Sequence, residues 1–171
     1  MSKQNAYTGR AGQFAAMAEF MIRGYNVAIP EIDVGDDIFV VKDADGDLNR
    51  IQVKTAIGKR QSMSGCYGAQ FNIAYAHLEK ARKPDITYVF VVRIEERWQE
   101  FVIIRRQDLY DIRENNRIGS VRTDSKSGQP YLRLTFAFKP HDVTCSKQSL
   151  QQYRNCWALW PVIDHRANVS A

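Results

Sequence analysis

Nine consecutive residues, Ile86-Thr87-Tyr88-Val89-Phe90-Val91-Val92-Arg93-Ile94, set the tightest limit on how this 171-residue chain can fold. They are strand formers and almost wholly apolar, without the alternation that would turn one face to water. Such a run belongs in a sheet covered on both faces. The chain must therefore build a layer on either side of it, and a composition of 44% hydrophobic and 25% charged residues is ordinary for one globular core. Glu95-Glu96-Arg97 makes a turn into residues 98–104, a second strand predicted to pair with the first as a hairpin.

Upstream, Phe14, Met17, Ala18 and Met21 recur at helical spacing, which predicts a helix over 9–23 with Thr8 as its N-cap and Gly24 as its stop. Residues 25–30 read as a short strand ended by Pro30. A hairpin follows, formed by 33–41 and 51–55 around the turn Asp43-Ala44-Asp45-Gly46-Asp47. The turn is not a calcium loop, because the frame that puts Gly46 at position six puts Val41 and Gln52 at the first and last ligand positions. Residues 57–68 are glycine-rich and basic and read as a loop. A second helix is predicted over 69–82, with Phe71, Ala74, Tyr75 and Leu78 on one stripe, and a short one over 105–113. Residues 114–130 form a polar excursion, 131–138 an alternating strand, and 149–160 a last helix carrying Leu150, Tyr153, Trp157 and Trp160 on one face. One domain over 1–171 is expected, and no internal repeat is present.

The hairpin gathers the chemistry. Its two antiparallel strands bring Asp37 near Gln52 and Lys54. Phosphodiester cleavage near neutral pH needs a nucleophile from water and stabilisation of charge on the phosphate. A hard cation held by a few oxygen ligands supplies much of this. Asp37 offers a carboxylate, Gln52 an amide oxygen and Val53 a strand-end carbonyl, a set suited to Mg²⁺ or Mn²⁺. Lys54 shares a face with Gln52 by the two-residue period, where it can orient the attacking water or offset phosphate charge.

A helix ending in Gly24-Tyr25, the series Val27-x-x-Pro30-x-x-Asp33-x-Gly35-x-Asp37, a hairpin and Ile51-Gln52-Val53-Lys54 together resemble the PD-(D/E)XK nuclease superfamily, nearest its small resolvase-like and restriction-endonuclease-like members. The resemblance covers residues 9–94. It implies an α/β fold with a restriction-endonuclease-like αβββαβ core, a central mixed sheet flanked by helices, with 95–171 adding strands and a C-terminal helix. It also implies a metal-dependent endonuclease acting on DNA, often as a homodimer. Matched position by position, Asp37 stands for the metal-binding Asp, Gln52 for the (D/E) and Lys54 for the Lys, which makes this a QxK variant. Counted back from Gly24, the acid that the family often places on its first helix falls on Gln13. Asp37 then carries most of the metal unless Glu19, Asp33 or Asp36 joins it. The alternative is a catalytically impaired nuclease-fold module that binds nucleic acid or a protein partner. Gln70 is a further accessory candidate, and Gln13 and Glu19, six residues apart, point to different helix faces.

A net charge of +5 and a pI near 9.2 favour a polyanionic partner. Lys59, Arg60, Arg105 and Arg106 are the phosphate-contact candidates, while Trp98, Trp157 and Trp160 are expected to be buried. Cys66, Cys145 and Cys156 lack CxxC spacing, and His77, His141 and His165 share no motif, which argues against structural zinc and against a catalytic triad. With no apolar leader and no long apolar run, a cytoplasmic protein without membrane association is expected.

Overall fold

The computed structural model describes residues 3–32, 35–62 and 65–164. In chain order the elements are α1 (Lys3–Ile22), β1 (Asn26–Ala28), β2 (Ile38–Lys42), β3 (Asp47–Ile57), β4 (Lys59–Arg60), β5 (Tyr67–Ala74), α2 (Tyr75–Glu79), β6 (Ile86–Ile94), β7 (Arg97–Arg105), α3 (Arg106–Asn116), β8 (Ser120–Thr123), β9 (Pro130–Lys139), β10 (Asp142–Cys145), β11 (Gln148–Ser149) and a 3-10 turn at Gln151–Tyr153. None of the described helices is long and apolar enough to cross a membrane.

The strands form two sheets. The first, ordered β1-β2-β3-β6-β7, is mixed: β1, β2 and β3 are antiparallel, β3 and β6 run parallel, and β7 returns antiparallel to β6. The second, β11-β10-β9-β5-β4 with β8 also on β9, is antiparallel throughout. β6 divides the core by its two-residue period. Val89 and Val91 pack with Ala16 and Phe20 of α1, and Tyr88, Phe90 and Val92 pack with Phe71, Leu134 and Phe136 of the second sheet. The unbroken apolar run is thus covered on both faces, as its composition required.

Expectations for two helices, for two connecting segments and for α1 need correction. Residues 69–82 are not one helix: Ala69, Phe71 and Ile73 are buried while Gln70, Asn72 and Ala74 are exposed, the two-residue period of β5, and only Tyr75–Glu79 is helical. The stripe of Phe71, Ala74, Tyr75 and Leu78 bridges the junction of those two elements. Residues 149–160 are not a helix either. Leu150 belongs to the core on one side of the first sheet and Trp160 to the core on the other, so no straight helix could place both. The chain instead crosses the edge of β7, where Asn155, left-handed at φ 50°, donates its N–H to the Phe101 carbonyl (2.6 Å) and accepts the Phe101 N–H at Oδ1 (2.9 Å). The 57–68 loop contains β4, and the 114–130 excursion contains β8, whose polarity suits an edge strand.

The last correction concerns α1. It begins at Lys3, and the Thr8 hydroxyl bonds back to the Gln4 carbonyl inside the helix rather than capping it. Phe14 and Met21 face outward, about half exposed, and the buried side is Gly12, Gln13, Ala16 and Phe20. At Gly12 this side lies hard against β3: a Cβ there would sit 2.1 Å from Thr55 Oγ1 and 2.9 Å from Thr55 Cβ. Gly12→Ala is therefore expected to lower the melting temperature. The overpacking cost of about 1–3 kcal/mol exceeds the roughly 1 kcal/mol of helix propensity that alanine adds. Thr55→Gly in the same chain should restore most of the loss in thermal melts monitored by circular dichroism.

Candidate active site

β2 joins β3 only from Ile38, opposite Ile51, so the outer edge of β3 beyond that pair lacks a β2 partner. Asp37 fills the gap. Its N–H donates to the Ile51 carbonyl (2.9 Å) and its carboxylate Oδ2 accepts the Val53 N–H (2.7 Å). In a strand the N–H and C=O of one residue point to the same edge, so the Val53 carbonyl is directed there as well. From α1, Gln13 Nε2 donates to the Asp37 carbonyl at 2.5 Å, and Gln13 Oε1 accepts from Arg10 at 2.7 Å. Both ends of the Gln13 amide are thereby engaged in fixing Asp37 to the helix.

Ile51 and Val53 lie in the core beneath α1, which sends Gln52, Lys54 and Ala56 to the opposite face. Continuing the register one residue past Ile38 and Ile51 sets Asp37 opposite Gln52. Gln52 is only 6% exposed, and its Oε1 is buried without a hydrogen-bond partner. An orphaned acceptor of this kind costs about 1–3 kcal/mol.

Above these groups opens a cleft of about 1170 Å³ between the N-terminal half of α1, the end of β3, and β4 with β5. It exceeds the roughly 300–1,000 Å³ of ordinary small-molecule pockets. Gln13, Asp37, Val53 and Lys54 line it, and Lys59, Arg60 and Gln70 stand on its walls. Among its described lining residues the cations are Arg10, Lys54, Lys59 and Arg60, and the sole acid is Asp37. Arg10, Asn72 and Thr135 belong to the cleft but were absent from the sequence-derived candidates. The alternation of 69–73 carried the signal for Asn72, hidden by the helical reading of that segment.

Other candidates lie elsewhere. Glu19 pairs with Arg23 at 2.6 Å, and that arginine stacks over Trp157 at 4.3 Å, away from the cleft. Asp36 is buried against Arg50 at 2.5 Å, so its charge is already neutralised. Arg106 is buried too, donating to Asp85 (2.8 Å) and to the Leu78 carbonyl (2.7 Å), and is a tie between α2 and α3 rather than a phosphate contact. Arg105 ends β7, outside the cleft. Asp33 and His165 fall outside the described residues. Trp160 is buried as expected, and Trp98 and Trp157 are partly buried against the same core.

Among the described residues no group of three or more His, Cys, Asp or Glu side chains could hold a metal ion. A cation here would rest on Asp37 and the Val53 carbonyl, whose residues line the cleft, together with Gln52, which is buried outside the cleft lining and would have to turn its amide oxygen toward them. That donor set is all oxygen and includes one buried oxygen left without a partner, which fits a hard divalent ion retaining several waters.

No protein-family model matches the sequence, and no curated protein does. Among solved structures, the bacterial homing endonuclease I-Ssp6803I is similar in fold, with a TM-score of 0.51 and 19% sequence identity over 92% of this chain and 90% of that chain. The mixed sheet and its helices are thus a nuclease-like α/β fold.

The Arg106 tie has a pH signature. Burial alone would raise the Asp85 carboxyl, but hydrogen bonds from Arg106 and from the Ile86 N–H outweigh it and hold the group below the usual carboxylate range. A depressed native value stabilises the fold fully above the unfolded value of about 3.9, and that contribution disappears as pH falls through the native value. Urea midpoints measured from pH 6 to 2 should therefore fall more steeply for the wild type than for Asp85→Asn.

Proposed function

We propose that this chain is a metal-dependent endonuclease of the PD-(D/E)XK type, hydrolysing phosphodiester bonds in DNA. The observation that carries this reading is the junction of Asp37 with Val53 in the wall of a basic cleft that Lys54 also lines; the orphaned oxygen of Gln52, the residue between Val53 and Ile51 on the same strand, is buried next along β3. The nuclease-like fold supports it. In this reading Asp37, Gln52 and the Val53 carbonyl hold Mg²⁺ or Mn²⁺, which when bound polarises the phosphate and acidifies a water. Lys54, on the cleft surface, orients that water and offsets charge developing on the phosphate oxygens. Gln13 holds the Asp37 backbone so that its carboxylate stays at the edge of β3. Lys59 and Arg60 bind flanking phosphates. A cut through both strands needs one site per strand, so the reading includes a homodimer, which light scattering with and without duplex would reveal.

A second reading, a nuclease-fold module that binds nucleic acid or a protein partner without cutting, is favoured by the scarcity of acids at the site: the Gln13 amide is spent on Asp37 and Arg10, and among the described residues no group of three or more His, Cys, Asp or Glu side chains could hold a metal ion. Calorimetry separates the two. The nuclease binds Mn²⁺ and loses that binding with Asp37→Asn, and the module binds DNA in a salt-sensitive way but binds no metal.

For the nuclease, Lys54→Ala should slow cleavage by about 10²-fold or more, the cost of removing one group that stabilises charge in the transition state. Plasmid, single-stranded and branched DNA left intact by the wild type with either cation would overturn it.

A further inference from the structure

We infer that the outer face of the second sheet, along β5 and β9, reads the base sequence of duplex DNA through the major groove. The inference rests on the nuclease reading of the adjoining cleft and names how its substrate is chosen. Leu132, Leu134 and Phe136 of β9 and Ala69, Phe71 and Ile73 of β5 point into the core, so the intervening residues form the outer face. In register, Gln70 faces Thr135, Asn72 faces Arg133, and Arg133 faces Ser120 on β8. Gln70, Asn72 and Thr135 are exposed and also line the cleft. A duplex whose backbone occupies the cleft therefore presents its groove to them.

The chemistry of this face changes along the sheet. Near the cleft it carries amides, hydroxyls and an arginine, with no carboxylate among Gln70, Asn72, Arg133 and Thr135. The acid comes at the far side, where Asp142 of β10 accepts a hydrogen bond from Ser149. A merely solvated sheet face has no reason to keep acids from the cleft end, whereas a polyanion does. The arginine is held in place: its guanidinium donates to Tyr131 Oη at 2.9 Å and lies 5.6 Å from the Tyr131 ring centroid. Amide side chains pair bidentately with adenine and arginine with guanine in the major groove.

Spacing makes the inference specific. Gln70 and Asn72 are two residues apart on one strand, about 6.8 Å at roughly 3.4 Å per residue. Base pairs stack at about 3.4 Å along each strand. With β5 laid along the groove, the two amides meet bases two steps apart.

The test is selection from a randomised duplex library by the Lys54→Ala chain, without divalent metal, so that binding is read independently of cleavage. Gln70→Ala and Asn72→Ala, made in that chain, should each relax one position of the selected motif, two base pairs apart, and weaken binding to the preferred duplex by roughly 5- to 100-fold. Lys59→Ala should instead weaken all duplexes alike and reduce the salt dependence by about one phosphate contact. Identical motifs from all chains, absence of any motif, or equal binding of single strands would overturn the inference. Because no metal is present, a chain that never cuts can still pass this test, and a chain that cuts can still fail it. Circular dichroism confirms that each exposed-site variant is folded.

Discussion

The parallel pairing of β3 with β6, running from Arg50 opposite Ile86 to Ile57 opposite Arg93, is the constraint from which the rest of the architecture follows. Parallel neighbours cannot be joined by a tight turn and need a long crossover. Here that crossover, residues 58–85, is not a simple helix but carries β4, β5 and α2. It thereby contributes β4 and β5 to a second sheet otherwise built from strands that follow α3. The crossover and the C-terminal strands together cover the face of β6 that α1 leaves bare. Of the even-numbered residues of β3, Lys54 and Ala56 emerge at the seam between these two layers where the cleft opens, while Gln52 on the same face stays buried.

The site is built from departures from regular pairing. A β2 strand that continued past Ile38 would occupy the edge of β3 with backbone groups, and Asp37 could not present a carboxylate to the Val53 N–H. The lone Gln52 oxygen is likewise a cost of about 1–3 kcal/mol that an apolar residue would avoid. The surrounding packing tolerates it. Gly12 lets α1 approach Thr55 closely, and Gln13 from the next position then reaches the Asp37 carbonyl. The tight contact between helix and strand is what sets the height of the carboxylate.

The elements legible in the sequence were those whose burial matches a single period. The Ile86–Ile94 strand, the turn into β7 and the hairpin of β2 and β3 all declare themselves by residue type and turn chemistry. Segments that serve two cores were misread. Leu150 and Trp160 fall at helical spacing, yet they lie on opposite sides of the first sheet. Phe71 and Leu78 share one core but belong to a strand and a helix in succession. On α1, the apolar pattern points to Phe14 and Met21 as the buried stripe, but the helix is turned so that Gly12, Gln13, Ala16 and Phe20 are buried, with Gly12 set hard against Thr55 of β3. For the site, the motif brought together Asp37, Gln52, Val53 and Lys54, while Glu19 and Arg106 were candidates by residue type alone and are held by local partners, Arg23 and Asp85.

The two glutamines that stand where the resemblance places acids are not equivalent. Gln13 is needed as a donor. Its Nε2 meets a carbonyl oxygen, and a glutamate there would set an ionised acceptor against an acceptor, losing the bond and adding repulsion. Its character follows from the Asp37 backbone, whatever the reaction. Gln52 is the reverse case: its oxygen is the atom left without a partner, so its acceptor function is the one still unspent. An amide oxygen also carries less charge than a carboxylate, so a cation held there would depend more on Asp37 and would be shed more readily. The departure at 13 is thus accounted for by packing, and the departure at 52 bears on the chemistry.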